Sequence, residues 1–500
     1  MKSLQKAAAL LLLSAMALAA VSCGETPSAP AEGNNDTPNP QNAVTEAVTE
    51  ETEPVVNWES ANLPVKDFGG EEILIMNYTV ADPAYAWFLT VPEALSGEVL
   101  NDAIYNRNQK IGDLYNVSFK SMYSDTPETE ISKAVTAGDG AYDLGFLYVS
   151  KIYSIAQNGV AANWYDLPHV DLTKDWWDQT VISQLSYHDK LYACTGDISP
   201  AANTRTFVFV FNKDLCRELD LEMPYQTVLD GKWTIDKLRE YVTNVNMDLN
   251  GDGVMDYSDR WGFFSEDGNS YMTFAAGGGT VVELDNAGNY KLTFNTERNI
   301  QLATKALELM TDSSLTLKAN KLVNDNGGNW TAASQWFAQG NALMRSTSFE
   351  PIPRDYRSMN ADFGVLPYPK FDESQKEYSA MADNASARVF CVPATTDKEM
   401  IGLILESLAA ESVSTVTPAY YDVCLTGKTV RDTESAAMLD IIFASKHFDI
   451  GMVLDFGGFK SSMTSQESKA SSDVASTFAK IESKAQKALD KYVGVIDALG

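Results

Sequence analysis

Between Asp248 and Asp259 the chain reads Asp-Leu-Asn-Gly-Asp-Gly-Val-Met-Asp-Tyr-Ser-Asp. Oxygen-bearing side chains fall at Asp248, Asn250, Asp252, Asp256 and Asp259, which are positions 1, 3, 5, 9 and 12 of a twelve-residue turn. Gly253 stands at position 6, and Val254 at position 7 offers a backbone carbonyl. Hard divalent cations are held by such converging oxygens, and the glycine permits the sharp bend. Asp259 stands where glutamate is usual, and its shorter arm suits one ligand oxygen rather than two. The expectation is a structural calcium ion. The alternative is a metal-free turn built from Asp and Asn side chains bonding their own backbone.

Elsewhere no catalytic set assembles. His169, His188 and His447 are far apart and lack metal-ligand spacing. No Gly-x-Ser-x-Gly elbow occurs, and Gly277-Gly278-Gly279 lacks the Lys-Ser/Thr of a phosphate loop. With 68 acidic residues, carboxylate pairs carry little weight as glycosidase signals. Cys194, Cys216, Cys391 and Cys424 are scattered without a Cys-x-x-Cys motif, so buried free thiols are expected, with a disulfide left open. The net charge of −30 disfavours nucleic acid and anionic headgroups as partners. It equally disfavours an anionic ligand, unless a local basic pocket exists.

The N-terminus reads as an address. Lys2 and Lys6 precede the apolar run Ala7 to Ala20, and Ala20-Val21-Ser22-Cys23 resembles a bacterial lipobox. Residues 1–22 are then a signal peptide, and Cys23 becomes a lipidated N-terminus that anchors the protein outside the cytoplasmic membrane. Residues 23–60 are rich in Pro, Thr, Asn and Glu, repeat Ala-Val-Thr-Glu at 43–46 and 47–50, and are expected to be a disordered tether.

Behind the tether about 440 residues remain, enough for two domains. Apolar runs at Ile73–Met76, Val117–Phe119, Asp143–Tyr148 and Thr206–Phe211 are strand-like. Helical patterns cover Asn101–Tyr115, Ile131–Ala137, Thr234–Val245 and Arg298–Met310. A final helix near 471–499 carries the stripe Val474, Phe478, Ile481, Ala485, Ala488 and Tyr492. Strands alternating with helices predict an α/β fold with parallel sheets.

From about Gly70 onward the chain resembles the extracellular solute-binding proteins of ABC transporters, in the group related to maltose-binding protein. The resemblance rests on motifs in shared order: Ala137-Gly138 through Asp143-Leu144, Ala156-Gln157-Asn158-Gly159 with Trp164-Tyr165-Asp166-Leu167, and Lys190-Leu191-Tyr192 leading to Phe209-Val210-Phe211-Asn212-Lys213-Asp214-Leu215. Trp233-Thr234 with Leu238, Phe337-Ala338-Gln339-Gly340 with Met344, and Phe363-Gly364-Val365 with Pro367 and Pro369 continue it.

That resemblance implies a two-lobed periplasmic-binding-protein-like fold of type II, with a hinge and a ligand cleft between lobes. Lobe 1 would comprise 61–200 plus 380–430, and lobe 2 would comprise 201–379 plus 431–500. The crossings are placed near Gly196–Asn203, Ser379–Asn384 and Gly427–Asp432, with Arg388–Pro393 returning to lobe 1. Sugars present apolar C–H faces and hydroxyl rims, which aromatic rings and polar side chains recognise. Cleft candidates are Tyr85, Trp87, Tyr148, Asp197, Tyr271, Trp330, Arg345, Asp383 and Asn384. Packing is favoured for Trp176-Trp177. The implied function is capture of a neutral solute, a mono- or oligosaccharide, for delivery to ABC permease subunits by a monomeric, non-enzymatic protein. A surface glycan-binding adhesin or a glycan-degrading enzyme is the alternative.

Overall fold

The structure is a computed structural model, and it describes residues 61–79, 88–356, 359, 361–383, 387–425 and 433–499. The signal, the tether, Cys23 and the crossing near 427–432 lie outside the described residues. In chain order the strands are β1 (Glu71–Tyr78), β2 (Val117–Ser124), β3 (Leu144–Tyr148), β4 (Phe207–Asn212), β5 (Trp261–Ser265), β6 (Val282–Leu284), β7 (Tyr290–Leu292), β8 (Thr316–Lys318), β9 (Ala342–Ser348), β10 (Phe363–Pro367), β11 (Ala380–Met381), β12 (Arg388–Cys391) and β13 (Lys446–His447).

The first sheet has the order β12-β3-β1-β2, the second β10-β4-β9-β5-β8. β1 is parallel to β2 and β3, and β5 is parallel to β8 and β9. The sheets are nonetheless mixed, not purely parallel: β12 runs antiparallel to β3, and β4 runs antiparallel to β9 and β10. The reason is where those strands enter. Arg388 opens β12 opposite Tyr148, the last residue of β3, and Phe207 opens β4 opposite Ser348, the last residue of β9. A strand that arrives at the C-terminal edge of its neighbour can only run back along it.

Those edges therefore adjoin the chain crossings. Thr206 bridges Ala382, and the Asp383 N–H donates to the Arg205 carbonyl at 2.9 Å. β11 pairs in parallel with β13, tying the second crossing to the later chain.

Local sequence explains the elements between. β4 is buried at every position, so it reads as the unbroken apolar run of a strand covered on both faces. The helix Pro127–Ala137 ends on Gly138, whose φ of 68° lets its N–H turn back to the Ala134 and Val135 carbonyls. Thr234 caps the helix Ile235–Val242 by accepting from the Lys237 N–H. That helix stops three residues short of the expected Val245, because Asn244 adopts φ 64° and turns the chain toward the Asp248 loop. The last helix, Val474–Ala498, buries Val474, Phe478, Ala485, Leu489, Tyr492 and Ile496. Its buried face passes through Leu489 rather than Ala488.

Trp176 and Trp177 are core residues. Both indole N–H groups donate to Glu406, at 3.1 and 2.8 Å, and the Asp171 N–H donates to it at 3.2 Å. Glu406 lies on the helix Lys398–Ser412, whose Gly402 passes so close to Pro168 that a Cβ there would sit 1.9 Å from its carbonyl oxygen.

Burial pushes the Glu406 carboxyl up to about 7, against these three donors. The folded chain therefore binds that proton more tightly than the unfolded chain does. Its contribution to stability is complete below about pH 4.5 and is lost as the pH rises through 7. Glu406→Gln carries no such titration, so its melting temperature relative to the native chain should climb between pH 4.5 and 7. Parallel melting curves across that window would contradict the assignment.

Candidate functional site

Where β1 and β3 end, three aromatic rings surround a cation. Tyr78 and Tyr148 stack with centroids 4.0 Å apart and planes 19° apart. The Tyr78 hydroxyl donates to Glu128 Oε2 at 3.0 Å. Arg388, at the head of β12, lays its guanidinium 4.4 Å from the Phe88 centroid, 5.5 Å from that of Tyr78 and 5.7 Å from that of Tyr148. Arg205, just after the first crossing, stands 5.3 Å over the same Phe88 ring. Its Nη1 pairs with Glu350 Oε2 at 2.8 Å. Glu350 follows the end of β9, so this ion pair belongs to the matching edge of the second sheet.

Further along that edge, Glu266 follows the last residue of β5. Burial pushes its carboxyl up to about 7, with Arg345 opposing the shift. Arg345 is buried within β9; it donates to the Tyr356 hydroxyl and lies 5.5 Å from the Phe264 centroid. Tyr271, on the buried helix Asn269–Ala276, has Lys460 Nζ 5.7 Å from its ring centroid, and the same Nζ is 3.6 Å from Asp383 Oδ1. Through Arg388, Arg205, Lys460 and Glu266, four of the sequence candidates become one run of neighbours: Tyr148, Asp383, Tyr271 and Arg345.

The others are placed differently. Asp197 accepts from Thr417 Oγ1 at 2.7 Å, and burial pushes its carboxyl up to about 6. Beside it Lys446 bridges Asp178 Oδ2, at 2.6 Å, and Asn203 Oδ1, at 2.7 Å. Trp330 is 46% exposed at the head of the helix Thr331–Ala338. Tyr85, Trp87 and Asn384 lie outside the described residues. Sequence reasoning missed Arg205, Glu266, Arg388 and Lys460. The available signal was a charge set directly against an apolar strand, as Arg388 precedes Val389-Phe390-Cys391 and Glu266 follows Phe263-Phe264-Ser265.

The Asp248–Asp259 loop is folded on its own backbone. Asp248 accepts from the Gly251 and Gly253 N–H groups at 2.6 and 2.8 Å, which hold its carboxyl below the usual carboxylate range. Asn250 accepts from the Asp252 N–H at 2.9 Å and Asp252 from the Val254 N–H at 2.7 Å. Asp256 accepts from the Ser258 N–H at 2.7 Å. Asp259 is fully buried and closes the turn, accepting from Leu249 at 3.0 Å and from Asp256 at 2.8 Å. Trp261 Nε1 donates to the Asp256 carbonyl at 2.8 Å and Trp336 Nε1 to the Tyr257 carbonyl at 2.9 Å, so two indoles anchor the loop. Among the described residues, no three His, Cys, Asp or Glu side chains converge on one point. In this arrangement the side-chain oxygens face the loop's own N–H groups.

One buried carboxylate holds the Tyr271 helix in place. Glu467 accepts from the Gly268 and Ser270 N–H groups at 3.1 and 2.9 Å and pairs with Lys318. Its side chain is fully buried. Glu467→Ala strands two backbone donors and takes from Lys318 its nearest counter-charge, leaving it Asp267 at 3.8 Å, and should lower stability by about 2–4 kcal/mol in denaturant titration. A loss under about 1 kcal/mol, the scale of an exposed pair, would show that this anchor is not essential.

Several known proteins share this architecture. An ABC substrate-binding protein from Listeria monocytogenes, solved with cycloalternan, aligns with a TM-score of 0.51 at 15% identity, covering 84% of this chain and 99% of that one. A cyclo/maltodextrin-binding protein complexed with maltotetraose gives 0.52 at 14% identity, covering 86% and 97%. The maltose/maltodextrin-binding domain from Bdellovibrio bacteriovorus, bound to maltotriose, gives 0.50 at 16% identity, covering 84% and 99%. At these identities the likeness establishes the fold, the two-lobed type II form. No protein in the curated comparison matches the sequence. The family model for bacterial extracellular solute-binding proteins matches residues 94–397. With three-fifths of its length in that match and both sheets in the type II arrangement, the chain belongs to the bacterial extracellular solute-binding protein family.

Proposed function

We propose that this protein is the membrane-tethered receptor of an ABC importer and that its solute is a saccharide. The observation that carries the reading is the run of aromatic and ionic side chains, Tyr78, Tyr148, Arg388, Arg205, Asp383, Lys460 and Tyr271, at the edges where the two sheets adjoin the crossings. Rings supply faces for sugar C–H groups, and the charged groups supply donors and acceptors for hydroxyls. Open α/β sheets bind ligands beyond the carboxyl ends of their strands, which is where these residues lie. The relatives solved with cycloalternan, maltotetraose and maltotriose support the same class of solute. In this reading residues 61–200 with 380–430 form one lobe, residues 201–379 with 431–500 form the other, and the lobes close on the ligand. Cys23 carries the lipid on the outer face of the cytoplasmic membrane. Permease subunits receive the solute, and the protein itself performs no catalysis.

Thermal unfolding against a panel of sugars, polyols and peptides tests this. A ligand at about 100 times its dissociation constant adds about 2.7 kcal/mol to stability. A shift confined to saccharides, with the sugar recovered intact, is the expected result. A shift with peptides alone, or release of shortened glycans, would overturn it.

The Asp248–Asp259 loop is proposed to take calcium, held by Asp248, Asn250, Asp252, Asp256 and Asp259 with the Val254 carbonyl. The ion would neutralise four clustered carboxylates and fix the turn. Calcium should raise the melting temperature and alter the fluorescence of the indoles on Asp256 and Tyr257, and Asp248→Ala should abolish both effects. Identical melting with calcium and with chelator would leave the loop as a self-bonded turn.

A further inference from the structure

Arg388 is the feature that sugar hydroxyls alone do not account for. It is 6% exposed, and its Nε and Nη1 are buried without a hydrogen-bond partner. No carboxylate lies within ion-pair distance of it among the described residues. The Tyr148 hydroxyl is its one hydrogen-bonding neighbour among the described residues, and its other electrostatic neighbours are the Tyr78 hydroxyl and a like charge, the guanidinium of Arg205. Arg205 has its own buried, partnerless Nε, and its one carboxylate partner among the described residues, Glu350, is shared with Arg354.

Ring faces attract a guanidinium, yet they satisfy none of its N–H donors. Burying a charge without a counter-charge is strongly unfavourable, and a second cation beside it adds to the penalty. Such arrangements persist where the surrounding structure enforces them, and they concentrate at ligand sites. The surroundings here are a stacked tyrosine pair and the first residue of a strand locked by its ladder to β3. These fix the guanidinium at the carboxyl ends of β1 and β3.

We propose that the solute carries a carboxylate that docks on Arg388, with Arg205 beside it, and that its class is therefore an acidic saccharide, a uronate-bearing oligosaccharide. This rests on the saccharide reading above and narrows it. It reverses the neutral solute expected from the net charge of −30. That figure sums the whole chain, whereas binding responds to the field at the site. Arginine suits the task because its planar fork matches a carboxylate in geometry as well as charge.

Calorimetric titration of the full chain in detergent with trigalacturonate and with maltotriose decides the matter. Trigalacturonate should bind at least 10-fold more tightly. Arg388→Gln should lose at least 10-fold for the acid sugar and less than 3-fold for maltotriose, with Arg388→Lys in between. Raised salt should weaken the acid sugar alone. Tighter or equal binding of maltotriose would overturn the inference while sparing the saccharide reading. An Arg388→Gln chain that melts lower and loses both sugars alike would assign the residue a structural role and overturn it too. Binding of neither sugar, nor of glucuronate or mannuronate trimers, would overturn both readings.

Discussion

The fold depends on two chain crossings that hydrogen-bond to each other. Thr206 and Ala382 form a bridge, Asp383 bonds Arg205, and the N–H groups of Phe349 and Glu350 bond the carbonyls of Thr206 and Thr204. Backbone groups that leave one sheet must find partners before they reach the next, and here they find them in one another. Their pairing sets the edge at which β4 and β12 enter, hence the antiparallel direction of both. It also places Arg205 and Asp383 next to the ends of the parallel strands, so the site follows from the path of the chain.

How much of this the sequence discloses depends on the range of the interaction. Apolar runs locate β1, β3, β4 and β12 because burial on both faces leaves a local trace. Caps such as Thr234 and Gly138 are legible for the same reason. Strand direction is not, since it reflects which edge a strand joins after a long excursion. The tryptophan pair shows the limit well. Its burial could be guessed from composition, but its partner Glu406 lies about 230 residues away and bears no local mark. Tyr148, Tyr271, Arg345 and Asp383 were identifiable as residue types suited to a sugar. Their linkage through Arg205, Lys460 and Glu266 required the fold.

Charge illustrates a related point. The chain is heavily acidic, and many of its lysines and arginines pair with carboxylates at the surface, where such pairs contribute little. A few charges sit in low dielectric, and those set the electrostatic character of the site: Glu266 next to Arg345, Glu467 on Lys318, and Arg388 among rings. Net charge describes how the molecule behaves in solution. It says little about what a buried group attracts.

Cys194, Cys216 and Cys391 are all free thiols in the core, and burial pushes Cys216 and Cys391 each up to about 12. A thiol held protonated and covered neither exchanges nor oxidises at a useful rate. These three carry no cross-link, so their own state is the same in reducing and in oxidising surroundings. They also act as a clock: an alkylating reagent that reaches them records an opening of the core, at the first sheet for Cys391 in β12 and beside the second for Cys216, on the helix Lys213–Glu218 that contacts β9 and β10.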